Sequence, residues 1–251
     1  MALLELKEVT KRFGGLIALN ELALEVSRGE ILGLIGPNGS GKTTAFNVIT
    51  GFHQPESGMI LFEEKDVTRL SPHVIAEMGI IRTFQLASLF FDLTVLDNIL
   101  IGLHRSVRIK VYDELLNTPT CRYQKGEQLE RAMEILELTE LEPYKDALAR
   151  NLSAGWRKTL AIGIALAAHP KLLLLDEPVC TLSPARVASI MKLIMKVRES
   201  GITVMLIEHN MKAIMDFCDR IVVLNFGKKI ADDTPRKVQQ NREVIDAYLG
   251  V

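Results

Sequence analysis

Nine consecutive residues, Gly36, Pro37, Asn38, Gly39, Ser40, Gly41, Lys42, Thr43 and Thr44, carry glycines, a lysine and a hydroxyl at the spacing G-x-x-x-x-G-K-[ST]. Those residue types suit one chemistry, the holding of phosphate. Gly36, Gly39 and Gly41 let backbone N–H groups turn inward toward anionic oxygens, and the N-terminus of a following helix adds partial positive charge. Lys42 is placed to bridge the outer phosphates of a nucleotide, and the Thr43 hydroxyl to reach Mg²⁺. The flanks agree, because the apolar run "ILGLIG" reads as a strand before the loop and a helical pattern follows from Lys42. A second Mg²⁺ anchor is expected at the end of an adjacent apolar strand, and Asp176 closes the apolar run "LLLLDE". Glu177, one position on, is the candidate general base, able to polarise a water in line with the γ-phosphate. An acidic pair after a strand also serves as a helix cap in ordinary α/β proteins; the phosphate loop in the same chain favours the catalytic reading.

A third stretch, "NLSAGWRKTLAIG", starts another helix-patterned run behind Ser153, Ala154 and Gly155, more than a hundred residues beyond the first glycine loop. A helix start of this kind is a second potential anion site, far from the first along the chain.

The elements that must position these groups alternate. Residues 3–9 and 22–26 show the two-residue period of half-buried strands, and 31–36 is a dense apolar run suited to a covered central strand. A helix is expected from Lys42 to Thr50 with Gly51 capping it, then a strand and turn over 58–67 and a strand over 79–85. From about 88 to 168 the pattern turns helical, with an amphipathic segment from Gln128 to Leu138 placing Leu129, Met133, Leu136 and Ile135 on one side. Residues 171–178 and 202–209 read as buried strands joined by a helix over 184–199, the spacing of a parallel βαβ unit. A last strand pair turns near Gly227.

Bulk properties exclude several classes. The 251-residue chain balances 30 Lys and Arg against 31 Asp and Glu, so it has no basic excess for nucleic acid. Cys121, Cys180 and Cys218 are scattered without a CxxC pair, which predicts reduced thiols in a cytosolic protein rather than disulfides or a zinc site. The N-terminal residues lack a signal-peptide pattern and no apolar run is long enough to span a bilayer, so any work at a membrane requires another chain to hold this one there.

Taken in order, Phe13, the phosphate loop, Gln85, "LSAGW", "LLLLDEP" and His209 resemble the ATP-binding subunits of ABC transporters over essentially the whole chain. Within that family "RTFQ", "LTVLDNILIG", "IEHNM" and "DAYLG" look most like branched-chain amino acid importers, with urea and amide importers similar. The resemblance implies an α/β fold: a P-loop NTPase (RecA-like) core with a mainly parallel sheet, an N-terminal antiparallel β subdomain and an inserted helical subdomain. The core is expected at 1–86 and 169–251, with the helical subdomain at 87–168. It further implies ATP and Mg²⁺, with Phe13 stacking on adenine, Gln85 ligating the metal with Thr43 and Asp176, and His209 holding the γ-phosphate and attacking water. Ser153 and the Gly155 N–H would then meet ATP held on the loop of a second ATPase subunit, which answers why the two glycine-bearing starts lie so far apart. An integral membrane permease and, indirectly, a solute-binding protein are the further partners. The implied location is peripheral, on the inner face of the cell membrane.

Soluble ABC-type ATPases of DNA repair or ribosomes carry long coiled coils, zinc cysteines or tandem ATPase units, and this sequence has none. It departs from the family pattern in three places. Ala154 and Trp156 stand where the signature has Gly and Gln, Thr181-Leu182-Ser183 replaces the usual Ala-Leu-Asp or Gly-Leu-Asn, and Thr159 and Ile164 occupy positions where arginine is common. Trp156 is read as a packing residue, and the changes together predict altered dimer closure. His53, His73, His104 and His169 are read as surface or packing residues.

Overall fold

The computed structural model describes residues 2–83, 89–103 and 119–249, with side chains described from 123 onward in the helix that opens at Pro119. Gln85 and His104 therefore lie outside the described residues, as does the side chain of Cys121. Contacts divide the chain into two units, Met1–Arg82 with Lys171–Val251, and Thr83–Pro170.

In the first unit, β1 (Ala2–Phe13) and β2 (Leu16–Ser27) form a long antiparallel hairpin that continues through β4 (Ser57–Phe62) to β5 (Lys65–Asp66), in the order β2-β1-β4-β5. Leu22, Leu24 and Val26 alternate with exposed residues and so bury one face. Both strands run well past the stretches expected from alternation. Register shifts interrupt the pairing, and Glu8 and Glu21 take positive φ, so bulges break the two-residue period. Near the hairpin tip Phe13, Leu16 and Ile17 are all exposed, which removes the apolar–polar contrast altogether.

The second sheet of this unit has the order β10-β9-β3-β8-β7-β6. Its members are β3 (Ile31–Ile35), β6 (Ile80–Arg82), β7 (Leu172–Asp176), β8 (Thr203–Ile207), β9 (Arg220–Asn225) and β10 (Lys228–Asp233). Every pair is parallel except β9 with β10. All five residues of β3 and of β8 are buried, as strands covered on both faces must be. Leu34 and Asp176 both pair with Ile207, so the carboxyl ends of β3, β8 and β7 finish level and side by side. The crevice beyond such ends is where open α/β sheets bind ligands.

Helices α1 (Lys42–Ile49) and α2 (Pro72–Met78) follow β3 and β5; Gly51, at φ 75°, stands just past the Thr50 cap of α1 and continues into the turn. The Thr83–Pro170 unit contains α3 (Val95–Leu103), α4 (Pro119–Leu138) and α5 (Ala154–Ala167), packed around Val95, Ile99, Leu103, Leu136 and Leu160. Two expectations need correction here. α4 begins nine residues before Gln128, within a stretch that shows no apolar period, and Leu129 is 47% exposed. The buried face of α4 consists of Ala132 and Leu136, flanked by Met133 and Ile135; Leu129, one turn earlier, projects beyond that layer. The chain returns to the first unit through α6 (Pro184–Glu199), α7 (Met211–Phe217), α8 (Pro235–Gln240) and α9 (Arg242–Leu249).

Candidate functional site

The phosphate loop follows β3 directly, and two of its glycines are required by their surroundings. A Cβ on Gly36 would sit 2.1 Å from the Leu224 carbonyl oxygen, and one on Gly41 2.4 Å from that of Ala18, with Gly41 at φ 105°. No L side chain fits either place. A Cβ on Gly39 would meet nothing within 4 Å, so glycine there serves the positive φ of 78° rather than a close approach. The loop is tied to the β9–β10 turn, where the Gly227 N–H donates to the Ser40 carbonyl at 3.0 Å.

Lys42 opens α1 with its side chain largely buried, and Nζ donates to the carbonyl oxygens of Gly36 and Pro37 at 2.8 and 2.9 Å. Burial pulls its pKa below the ordinary lysine value, against the opposing pull of Glu177 and Asp176, whose charges favour the ammonium. The lysine therefore lies in the field of both carboxylates and can exchange two neutral acceptors for phosphate oxygens.

Asp176 ends β7 with Oδ2 2.6 Å from a guanidinium nitrogen of Arg82, which closes β6. Arg82 also donates to Asn47 Oδ1 at 2.6 Å and lies 5.4 Å over the Phe46 ring, both on α1. Thr43 is exposed in the first turn of α1. A threonine hydroxyl with an aspartate carboxylate is an all-oxygen donor set, which fits a hard cation such as Mg²⁺.

Glu177 follows β7 at φ 49°, a costly conformation for a residue with a Cβ, held by donation of its N–H to Ile207 at 2.9 Å. Its Oε1 lies 3.1 Å from Nε2 of His209, which stands beyond the end of β8. Asn210 then accepts from the Ala213 N–H and caps α7. Phe13, 44% exposed beside the hairpin turn, has the His53 ring edge-on at 5.2 Å and the Lys11 ammonium 5.3 Å from its centroid. The chain brings Lys42, Asp176, Glu177 and His209 to adjoining strand ends.

Ser153 belongs to the other unit. It is the N-cap of α5 with extended backbone, is exposed, and its side chain caps no N–H of its own helix. Gly155 is buried in the first turn, its carbonyl accepting from the Thr159 hydroxyl at 3.1 Å. Trp156 packs on the Tyr144 ring, centroids 5.0 Å apart, against the apolar core of this unit.

Two further residues of the site carry only a faint sequence signal. Arg82 is a charge closing the apolar strand β6, which signals a buried partner. Glu208, 1% exposed, follows five buried residues of β8 and signals the same thing.

A glycine loop between a parallel strand and a helix, with acidic residues at the end of β7, which is not adjacent to β3 as expected but one strand further on, beyond β8, defines a P-loop nucleotide-binding protein. Residues 19–180 match the ABC transporter family, and residues 228–251 match the family described as branched-chain amino acid ATP-binding cassette transporter. The high-affinity branched-chain amino acid transport ATP-binding protein BraF of Pseudomonas aeruginosa is 40% identical over 249 residues, covering 99% of this chain and 98% of that protein. A nucleotide-free ATP-binding cassette from an ABC transporter superposes with a TM-score of 0.87 at 32% identity, over 100% of both chains. A dimeric ATP-binding cassette in a post-hydrolysis state, bound to ADP and Pi, superposes at 0.77 and 28% identity, over 93% of this chain and 99% of that one. The chain belongs to the ABC transporter family, as an ATP-binding subunit that hydrolyses ATP. Among the described residues no helix is long and apolar enough to cross a membrane.

Proposed function

We propose that this chain is one of two cassettes that drive a membrane permease importing branched-chain amino acids, lying against the inner face of the membrane with a solute-binding protein as a more distant partner. Support for the substrate class comes from the matched C-terminal residues 228–251 and from relatives such as BraF. The mechanism rests chiefly on the Glu177–His209 contact of 3.1 Å beside the Lys42 loop.

Backbone N–H groups from Gly36 to Thr44 cradle the phosphates of ATP, Lys42 Nζ leaves its two carbonyls for the outer phosphates, and Phe13 offers its exposed face to adenine. Thr43 and Asp176, with Gln85, would hold Mg²⁺, which would supply charge neutralisation to the bound phosphates. Glu177 Oε1 accepts a proton from the attacking water while His209 orients that water and the γ-phosphate, and the products are ADP and phosphate. Hydrolysis of this kind depends on placement more than covalent chemistry, so completion by the second cassette matters. Ser153 and the Gly155 N–H from the 87–168 subdomain of one cassette would grip the γ-phosphate bound to the other. Ser183, exposed at the N-cap of α6 without capping its own helix through its side chain, faces the same task with a shorter reach than Asp or Asn. Dimer closure is weaker for that reason.

Two variants test the reading. Lys42→Ala loses a charge-assisted phosphate contact of about 1.5–3 kcal/mol, a weakening of roughly 10- to 150-fold in ATP affinity. Glu177→Gln keeps ATP binding, loses turnover and traps an ATP-bound dimer in which a crosslinker on Ser153→Cys reaches the partner's nucleotide. Wild-type turnover in Glu177→Gln, or a trapped dimer with position 153 remote from every phosphate, refutes it.

A further inference from the structure

Glu208 lies between the two catalytic loops and reaches both. Its Oε1 accepts the Val179 N–H at 2.6 Å, across 29 positions of chain. Its Oε2 accepts the N–H groups of His209 and Asn210 at 3.0 and 3.4 Å. The carboxylate is almost wholly buried, and burying one is unfavourable unless its oxygens are satisfied. Val179 is itself buried and lies two residues past Glu177, and its carbonyl accepts from the Leu182 N–H at 3.3 Å, so it roots the turn that carries Cys180 and Thr181.

We propose that Glu208 is a positioning residue for hydrolysis: one rigid carboxylate locks the loop after Glu177 to the loop bearing His209, and so holds the Glu177–His209 contact in register. A carboxylate presents only acceptors, and its two oxygens take donors from two different loops. An amide of the same shape can satisfy one side, but its NH₂ then confronts an N–H on the other. Because Val179 also roots the turn leading to Ser183, the strap ties the water-activating pair to the segment read above as facing the second cassette. This inference rests on the assignment of hydrolysis to Glu177 and His209, and its test includes a readout that does not.

Glu208→Gln in the full chain, in a Cys121→Ser background, leaves Cys180 and Cys218 as thiols for modification by a maleimide. Cys180 is partly exposed on the strapped loop, whereas Cys218 is buried in the fold and reports only global opening. The expected result is Cys180 modification several-fold faster with Cys218 unchanged, ADP affinity within about twofold of the parent, and turnover per bound nucleotide lower by on the order of 10²-fold, the cost of an ångström-scale misplacement. Glu208→Asp keeps both acceptors but draws them back by one methylene; it shows the same pattern at smaller size and serves if the glutamine variant does not fold. Both thiols accelerating together, Cys180 unmoved, or turnover within twofold of the parent overturns the proposal. If Glu177→Gln proved fully active, the catalytic assignment would fail while the Cys180 result still reported the strap itself.

Discussion

Replacing Arg82 by methionine removes the cation that bridges Asp176 and Asn47 while keeping most of the side chain's length. The ion pair is well shielded, with side-chain exposures of 7% for Arg82 and 12% for Asp176, and both of its described hydrogen bonds are 2.6 Å long. Taking one partner from a buried pair costs about 3–5 kcal/mol, because the remaining charge stays desolvated. Lys42 also lies in the field of Asp176 and offers partial compensation, so the lower end, about 3 kcal/mol, applies. For a chain of this size that corresponds to a fall in Tm of about 6–12 °C. The assay is urea and thermal unfolding of Arg82→Met, Asp176→Asn and the double variant. The double variant removes both charges, so it recovers more than about 1 kcal/mol relative to the sum of the single effects. A cost below about 1 kcal/mol for Arg82→Met, or strict additivity, refutes the view that this pair links β6 to the end of β7.

Gly41→Ala forces a Cβ to 2.4 Å from the Ala18 carbonyl at φ 105°, so the loop must shift, and calorimetry should find ADP affinity reduced more than about tenfold; near-normal affinity refutes the steric argument. Burial pushes the Cys218 thiol up to about 12, above its ordinary value of 9.0. A raised folded-state pKa contributes stability that is whole below about pH 9 and is lost as pH climbs toward 12, at up to about 1.4 kcal/mol per pH unit. Cys218→Ala should flatten that alkaline slope in urea titrations, and an unchanged slope removes Cys218 as its source. Leu136→Ala should destabilise by about 2–5 kcal/mol, as a fully buried leucine does, whereas Leu129→Ala at 47% exposure should stay within about 0.5 kcal/mol. Equal effects contradict the packing of α4.

What the sequence determined by itself is local. The phosphate loop is legible because its demands fall on nine consecutive residues: glycines where backbone must crowd backbone, a lysine at a helix start, an apolar strand before it. Asp176 and Glu177 are legible because a buried strand shows as an apolar run and its end as the first charge. Helix 184–199 is legible for a similar reason, with a proline at its first position and a covered strand on each side. The tertiary structure decided what depends on strand order. Arg82 finds Asp176 across 94 positions and Glu208 finds Val179 across 29. Those meetings follow from β6 lying beside β7 and β7 beside β8, an arrangement set by the crossover helices rather than by any one segment. His53 against Phe13, the long bulged hairpin and the exposure of Leu129 were hidden for the same physical reason: a residue's pattern along the chain records the period of its own element, whereas its burial and its partner are properties of the neighbouring element, which the fold alone supplies.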